Sequence, residues 1–449
     1  MFKRILLIAA LALGAATWCS GAPAKGKTTW TTKSGAYSIV AKTSCPRAVA
    51  KVGEEVKLSV VTTSKKPGFV RATCYVNGLE KGKPQIVEFG KAAEFTVTPK
   101  APGSISLICT MLNENRKPVL DGRKRQINMG IGVLVAPSKI APGNPKCPDD
   151  FDEFWKARRA ELDQVPVKAT SEEVQLTESE AKNYPQVVCR DVKVDCAGGA
   201  PVSGYLCMPR DAQPKSLPAI VIYHGAGVRS AQKRLRYGTK AIAFDVNAHG
   251  LPNGRPKEFY DTLFKGEYAD YRSRHLDDHE KNYFVGIYTR IMRALDYVKS
   301  LPEWDGKTLI VTGGSQGGAQ SLAAAALDGQ VTLCVAQVPS QCDLGARLAG
   351  RRPGGPMCRN PEDTQRDPVV VRETAYVDNV FLAKRIKCPI YVSAGLIDNT
   401  CIATSIQAFY NALPEGVEKH IAVNPVGGHN TSPNPAGQRK IREVLKLKE

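Results

Sequence analysis

The residue types and spacing best suited to chemistry lie at Gly313-Gly314-Ser315-Gln316-Gly317. This is a G-x-S-x-G pattern. It sits between Thr308–Thr312, an apolar run that reads as a strand, and the alanine-rich stretch 316–327, which reads as a helix. In that context a tight strand-to-helix turn lifts the serine hydroxyl above the sheet edge, and glycines tolerate the crowding. A serine hydroxyl needs a base to act as a nucleophile. The chain has six histidines, at 224, 249, 275, 279, 420 and 429. Where nucleophile, acid and histidine follow in that chain order, only His420 and His429 qualify. His420 falls inside a strand pattern. His429 follows that strand in Gly427-Gly428-His429-Asn430, read as a mobile polar loop. It is favoured because loops at strand ends carry catalytic groups. The acid is expected after the preceding strand, and Asp398 follows Pro389–Ala394. Its role would be to hold the imidazole tautomer and stabilise the imidazolium. A third loop, His224-Gly225-Ala226-Gly227, follows the strand Pro218–Tyr223. There the amide of Ala226 would join that of Gln316 in an oxyanion hole, with His224 bracing the loop.

These loops need a scaffold, and the last two thirds of the chain supply its pattern. Strands are predicted at 218–223, 241–246, 308–312, 331–337, 389–394 and 420–424, and helices at 150–162, 282–300 and 316–327. In the helix 282–300, Tyr283, Ile287, Ile291, Leu295 and Val298 share one face. Alternating strand and helix implies a parallel sheet covered on both faces. The stretch 343–380 breaks the rhythm and is expected to form an insertion near the site.

The first third reads differently. Short alternating runs, such as 55–61, 70–76, 94–98, 104–109 and 130–136, are separated by turn residues such as Asn77-Gly78. About seven strands at this spacing predict an immunoglobulin-like β-sandwich. It carries no catalytic motif. The expectation is a structural appendage that packs on the catalytic domain, with a binding module as the other reading. The domain boundaries expected are 25–137 for the sandwich, 138–149 for a proline-rich linker and 150–449 for the catalytic domain.

Residues 1–24 have the layout of a secretory signal, with Lys3 and Arg4 ahead of the apolar run 5–17 and small residues after it. That core is short for a membrane span, and no later segment is long and apolar enough. Trp18 before Cys19 argues against a lipid anchor there. Export to the periplasm or beyond permits disulfides. Cys74 and Cys109 fall in two strand-like runs and could be paired. No CxxC occurs among the 13 cysteines, which argues against a zinc ribbon.

The net charge is +19, and it is unevenly placed. Residues 25–146 hold 21 Lys+Arg against 7 Asp+Glu, whereas 147–449 hold 39 against 36. No aromatics interleave the lysines, which argues against nucleic acid. The expected partner of the basic domain is an anionic glycan or envelope surface, bound in a salt-sensitive way.

With these residues in place, the chain resembles carbohydrate esterase family 7, the acetyl xylan esterases and cephalosporin-C deacetylases of the α/β-hydrolase superfamily. The resemblance covers roughly residues 145–449. It rests on Pro148-Asp-Asp-Phe-Asp-Glu-Phe-Trp155, Tyr283 through Asp296, Gly313-Gly-Ser-Gln-Gly-Gly318, Gly395-Leu-Ile-Asp398-Asn-Thr-Cys401 and Gly428-His429. It implies an α/β-hydrolase domain with Ser315, Asp398 and His429 as triad, and the amides of Ala226 and Gln316 as oxyanion donors. It implies deacetylation of acetylated saccharides through an acetyl-enzyme, without metal or cofactor. Two departures stand out. The family's Arg-Gly-Gln after the second sheet strand falls here in Asp245-Val-Asn-Ala-His249-Gly250-Leu251-Pro252, which keeps the Gly but not the Arg or Gln, and the two prolines after the cysteine are Ile402-Ala403. The competing readings are a prolyl-oligopeptidase-like peptidase, whose N-terminal repeats the short first domain lacks, and a non-catalytic polysaccharide-binding protein.

Overall fold

A computed structural model describes residues 26–355 and 367–448. The expected signal segment, Cys19 and Cys358 lie outside the described residues.

Residues 29–135 form ten strands: β1 Thr29–Ser34, β2 Tyr37–Thr43, β3 Val49–Ala50, β4 Val56–Ser64, β5 Phe69–Val76, β6 Leu79–Glu80, β7 Gln85–Glu88, β8 Ala92–Val97, β9 Gly103–Leu112 and β10 Asn128–Val135. They make two sheets, one ordered β1-β2-β4-β8 and the other β3-β10-β9-β5-β6, with β7 also pairing β5. Period-two alternation turns Ile39, Ala41, Leu58 and Val60 of one sheet, and Ile105, Leu107, Ile131 and Val133 of the other, into a buried core. Cys74 and Cys109 sit on neighbouring strands but two residues out of register. Cys74 faces Leu107, Cys109 faces Ala72, and both thiols are free. The pairing that the sequence left open is therefore not formed. Both act as small buried hydrophobes.

The remainder holds strands β11 Ala169–Glu173, β12 Val187–Val194, β13 Val202–Pro209, β14 Leu217–Tyr223, β15 Ile242–Asn247, β16 Trp304–Gly314, β17 Leu333–Gln337, β18 Ile390–Gly395 and β19 Lys419–Asn424. Their order is β11-β12-β13-β15-β14-β16-β17-β18-β19. The strands from β14 onward run parallel, while β11, β12 and β13 pair antiparallel at one end. That antiparallel end is not predicted by the sequence reading, because charges at 170–195 mask the pattern of strands lying at the sheet's margin. The helices are α1 Phe151–Asp163, α2 Glu178–Asn183, α3 Leu235–Gly238, α4 Lys257–Lys265, α5 Tyr283–Ser300, α6 Gln316–Leu327, α7 Pro368–Thr374, α8 Asn379–Leu382, α9 Ala403–Ala412 and α10 Pro435–Val444. Among the described residues no helix is long and apolar enough to cross a membrane. Helix α6 is almost wholly buried, and its alanines and glycines let it lie close to the sheet. Of the stretch 343–380, the described residues 343–355 and 367–380 hold short helical turns, and the Gly355 amide donates to the Thr400 carbonyl at 2.8 Å, beside the Asp398 loop.

The linker is tied down at both ends. Asn411 donates to the carbonyls of Pro137 and Ile140 at 2.8 Å each, and Asp343 accepts from Gly143 N at 2.6 Å. Arg351 joins Asp343 and the Ala141 carbonyl.

Candidate active site

Strand β16 ends at Gly314 and α6 begins at Gln316, leaving Ser315 alone in the turn. Its backbone is forced to φ 58°, ψ −121°, a region that non-glycine residues rarely occupy. The flanking glycines explain how the turn survives. A Cβ at Gly317 would lie 2.0 Å from the Tyr223 carbonyl, and one at Gly313 2.5 Å from the same atom. The turn is held by Ser315 N donating to Gln337 O at 2.9 Å, and by Ser340 N donating to Ser315 O at 3.0 Å.

Asp398 follows β18 and is buried. Its Oδ1 accepts from the amides of Thr400 (2.8 Å) and Cys401 (3.0 Å). Its Oδ2 accepts from His429 Nδ1 at 2.8 Å. A carboxylate only accepts, so Nδ1 carries a proton, and in the neutral tautomer Nε2 keeps its lone pair. The His429 loop is cross-tied rather than open. Asn424 donates to Thr431 O, Gly428 N to Thr431 Oγ1, and Ser432 Oγ to Gly428 O, all within 2.9 Å. The sequence reading of a mobile loop misses these ties because they are made by single polar side chains within the loop. Gly395 lets this loop close on β18, since a Cβ there would meet Gly427 O at 2.3 Å. His420, the other downstream histidine, lies in β19, stacked on Tyr391 at 4.4 Å, and takes no part.

No hydrogen bond joins Ser315 to His429 in this structure. Ser315 Oγ instead lies 4.0 Å from Sγ of Cys401. That thiol, Asp398 and His429 each place a ligand atom within 4.8 Å of the others. The three residues expected to act together are therefore gathered around one buried cysteine. Such looseness between nucleophile and base is common without substrate. The same oxygen, sulfur and nitrogen donors could hold a soft divalent ion. The Asp398 carboxylate already accepts three hydrogen bonds, which leaves one of its lone-pair sites for such an ion.

The loop His224–Gly227 touches the turn. A Cβ at Gly225 would lie 3.3 Å from Gly314 O and 3.7 Å from Ser315 Cβ. The amides of Ala226 and Gln316 have no acceptor among the described residues, as an oxyanion site requires. His224 braces the loop as expected: its Nε2 accepts from Ala248 N at 3.1 Å and its Nδ1 is 2.7 Å from Gly225 O. Burial, helped by Arg229, pushes its pKa down to about 4, so it stays neutral.

Sequence reasoning misses two groups here. Cys401 is quoted in the family resemblance without a role, yet it is the side chain nearest the serine hydroxyl among its hydrogen-bonding contacts. Tyr271, in the unassigned stretch after α4, accepts from Gly227 N at 3.0 Å and donates to Gln316 Oε1 at 2.9 Å. It bridges the two loops that carry the free amides. Around it, His249 is packed against Tyr271 (4.7 Å between centroids), Tyr268 (5.0 Å) and Tyr283 (5.8 Å). Burial, with His224 nearby, pushes the His249 pKa down to about 3. The departure from the family's arginine thus places a neutral imidazole inside a tyrosine cage. No short motif announces this cluster, because its members are spread over 249–283.

The acetyl xylan esterase (AXE1) family model matches residues 140–445. The chain belongs to that family. The esterase is 32% identical over 349 residues to acetyl esterase Axe7A of Xylanibacter ruminicola, covering 76% of this chain and 74% of that protein. Among solved structures it resembles the acetyl xylan esterase of Paenibacillus sp. R4, with TM-score 0.56, 26% identity, and coverage of 70% of this chain and 98% of that one. Acetyl xylan esterase 1 of Thermoanaerobacterium sp. JW/SL YS485 matches with TM-score 0.55, 26% identity and the same coverage. The esterase is a carboxylic-ester hydrolase of mixed α/β fold, and the family model leaves its first third outside.

Proposed function

We propose that this chain is an exported serine esterase that removes acetyl groups from acetylated saccharides, with Ser315, His429 and Asp398 as its triad. The observation that carries the reading is the 2.8 Å contact of His429 Nδ1 with buried Asp398, beside a serine in a strained turn. Ser315 Oγ, turned toward His429 Nε2, attacks the acetyl carbonyl as Nε2 takes its proton. Asp398 holds the imidazolium. The amides of Ala226 and Gln316 receive the oxyanion, each worth about 3 kcal/mol at the transition state. His429 then protonates the departing sugar oxygen, and water hydrolyses the acetyl-enzyme by the reverse route. The chain's own groups complete this cycle.

In this reading residues 150–449 are an α/β-hydrolase domain, residues 25–137 an immunoglobulin-like sandwich, and residues 1–24 a secretory signal that sends the mature protein to the periplasm or outside. The basic sandwich then meets anionic glycan or envelope surface.

The test is acetate release from p-nitrophenyl acetate and from acetylated xylo-oligosaccharides by the mature protein and by Ser315→Ala. Loss of both activities in the variant is expected. Turnover of peptides without deacetylation would overturn the esterase assignment to saccharides, and full activity in Ser315→Ala would overturn the triad.

A further inference from the structure

A cleft of about 1110 Å³ opens where the first domain meets β19. One wall is β3 with Trp30, and the other is Ile421–Asn424 of β19, the last strand of its sheet. Pro425 and Pro433 complete it. These two prolines flank the His429 loop in sequence, so the cleft is lined by both ends of the loop that carries the proposed base.

The charge of the cleft is one-sided. Lys27, Arg47 and Lys51 line it against a single acid, Glu54. Glu54 already accepts from the Lys51 amide at 2.8 Å. Among the described residues none of the three cationic side chains has a carboxylate partner. Lys27 lies over the Trp30 ring at 5.6 Å. The backbone presenting these groups is unusual. Arg47 and Ala48 are consecutive non-glycine residues at φ 59° and 57°, in the left-handed region. Two such residues in a row are retained at a cost, and such cost concentrates at ligand sites. An apolar floor with unpaired cations on its rim suits a chain of sugar rings that carries carboxylates. The apolar faces of the rings pack below, and the carboxylates meet ammonium and guanidinium groups.

We propose that this cleft binds a uronate-bearing segment of the polysaccharide, holding the chain while its acetyl groups reach Ser315. The proposal rests on the saccharide-esterase reading and adds a second, distinct place where the polymer is held. It also gives the basic excess of the first domain a location.

The experiment uses the full mature chain carrying Ser315→Ala, titrated calorimetrically with tetragalacturonate, with neutral xylotetraose and with a short polyglutamate. Tetragalacturonate should bind at least tenfold more tightly than xylotetraose. Raising the salt from 0.05 to about 0.5 M should weaken it by about tenfold or more, because the contact is ionic and exposed. Arg47→Gln with Lys51→Gln should weaken it by about tenfold. Lys51→Glu, a change at an exposed turn residue, replaces the pair if the double variant fails to fold. Equal binding of xylotetraose would overturn the role of charge. Equal binding of polyglutamate would overturn the saccharide assignment. Binding unaffected by the variants would overturn this location. Turnover of p-nitrophenyl acetate by the unaltered chain reports the esterase reading separately. Active enzyme with no uronate binding refutes the cleft alone.

Discussion

Tyr271→Phe removes one oxygen and should slow the reaction without unfolding the protein. The hydroxyl accepts from Gly227 N at 3.0 Å and donates to Gln316 Oε1 at 2.9 Å. Ala226, whose amide is one proposed oxyanion donor, is the neighbour of Gly227. Gln316 supplies the other donor. Phenylalanine keeps the ring in its cage with His249 and Tyr283 but leaves a backbone N–H and a buried amide oxygen unpartnered. Each such loss costs about 1–3 kcal/mol. Gln316 cannot readily re-anchor, since its Nε2 already lacks a partner among the described residues. The effect on rate is bounded by one oxyanion donor, about 3 kcal/mol, because the amides are displaced rather than deleted. A loss of 1–2 kcal/mol corresponds to roughly 5–30-fold in kcat/KM. It should fall on kcat, with KM for p-nitrophenyl acetate changing by less than about twofold, because the donors act on the transition state. A purely structural role would lower the melting temperature without touching that split. The added readout is affinity for a boronic acid that forms a tetrahedral adduct on Ser315. It should weaken in step with kcat/KM, while acetate binding stays unchanged. If Tyr271→Phe retains kcat/KM within twofold, the bridge does not position the amides and the reasoning fails.

Other outcomes follow from single contacts. His224 and His249 are pushed down to about 4 and 3, from an ordinary value of 6.5, so the unfolded chain binds protons that the folded chain refuses. Stability should therefore fall as pH drops from about 6.5 toward 4, by up to ~1.4 kcal/mol per pH unit for each histidine. Chemical denaturation across that range checks it, and His249→Gln should reduce the slope. Micromolar Zn²⁺ should inhibit reversibly by engaging Asp398, Cys401 and His429, and Cys401→Ser should weaken that inhibition more than it slows acetate release. Gly132→Val should cost about 1–3 kcal/mol of stability and lower activity, measured by melting and acetate release, because a Cβ there meets Leu396 Cβ at 2.5 Å, two residues before Asp398.

What could be read from the sequence was whatever is written in a short window. Ser315, Asp398 and His429 each follow an apolar strand run, and the structure brings Asp398 and His429 into contact and Ser315 beside them. The amide pair is legible for the same reason, since a backbone donor needs only a turn in the right place. Tyr271 is not legible. Its partners Gly227 and Gln316 lie 44 and 45 residues away, and nothing in the run 266–281 distinguishes this tyrosine from Tyr268. Cys401 carries no local sign either, because its place beside Ser315 depends on how two strand-end loops converge.

The first domain shows the same limit from the other side. Along β9 the pattern Ser104, Ser106, Ile108, Thr110 alternates with Ile105, Leu107 and Cys109, and along β10 Gly130 and Gly132 alternate with Ile131 and Val133. By period two, the serine and glycine face reads as the solvent side of a half-buried sheet. It is instead buried: Ser104, Ser106 and Thr110 are each less than a tenth exposed. The register pairs Gly132 with Ser106, so both lie on that face. The Gly132 amide donates to Pro425 O at 2.8 Å, and its missing side chain makes room for Leu396. Asn77 O accepts from Arg352 N at 2.9 Å on the same side of the molecule. Small residues here mark close approach rather than exposure, since they let a second backbone come within hydrogen-bond distance. The sheet therefore seats the loops of both Asp398 and His429. This makes the basic domain a support for the loop of His429, the proposed base, as well as a wall of the cleft. The structural appendage expected from the sequence packs, at this face, against the loops of the proposed active site.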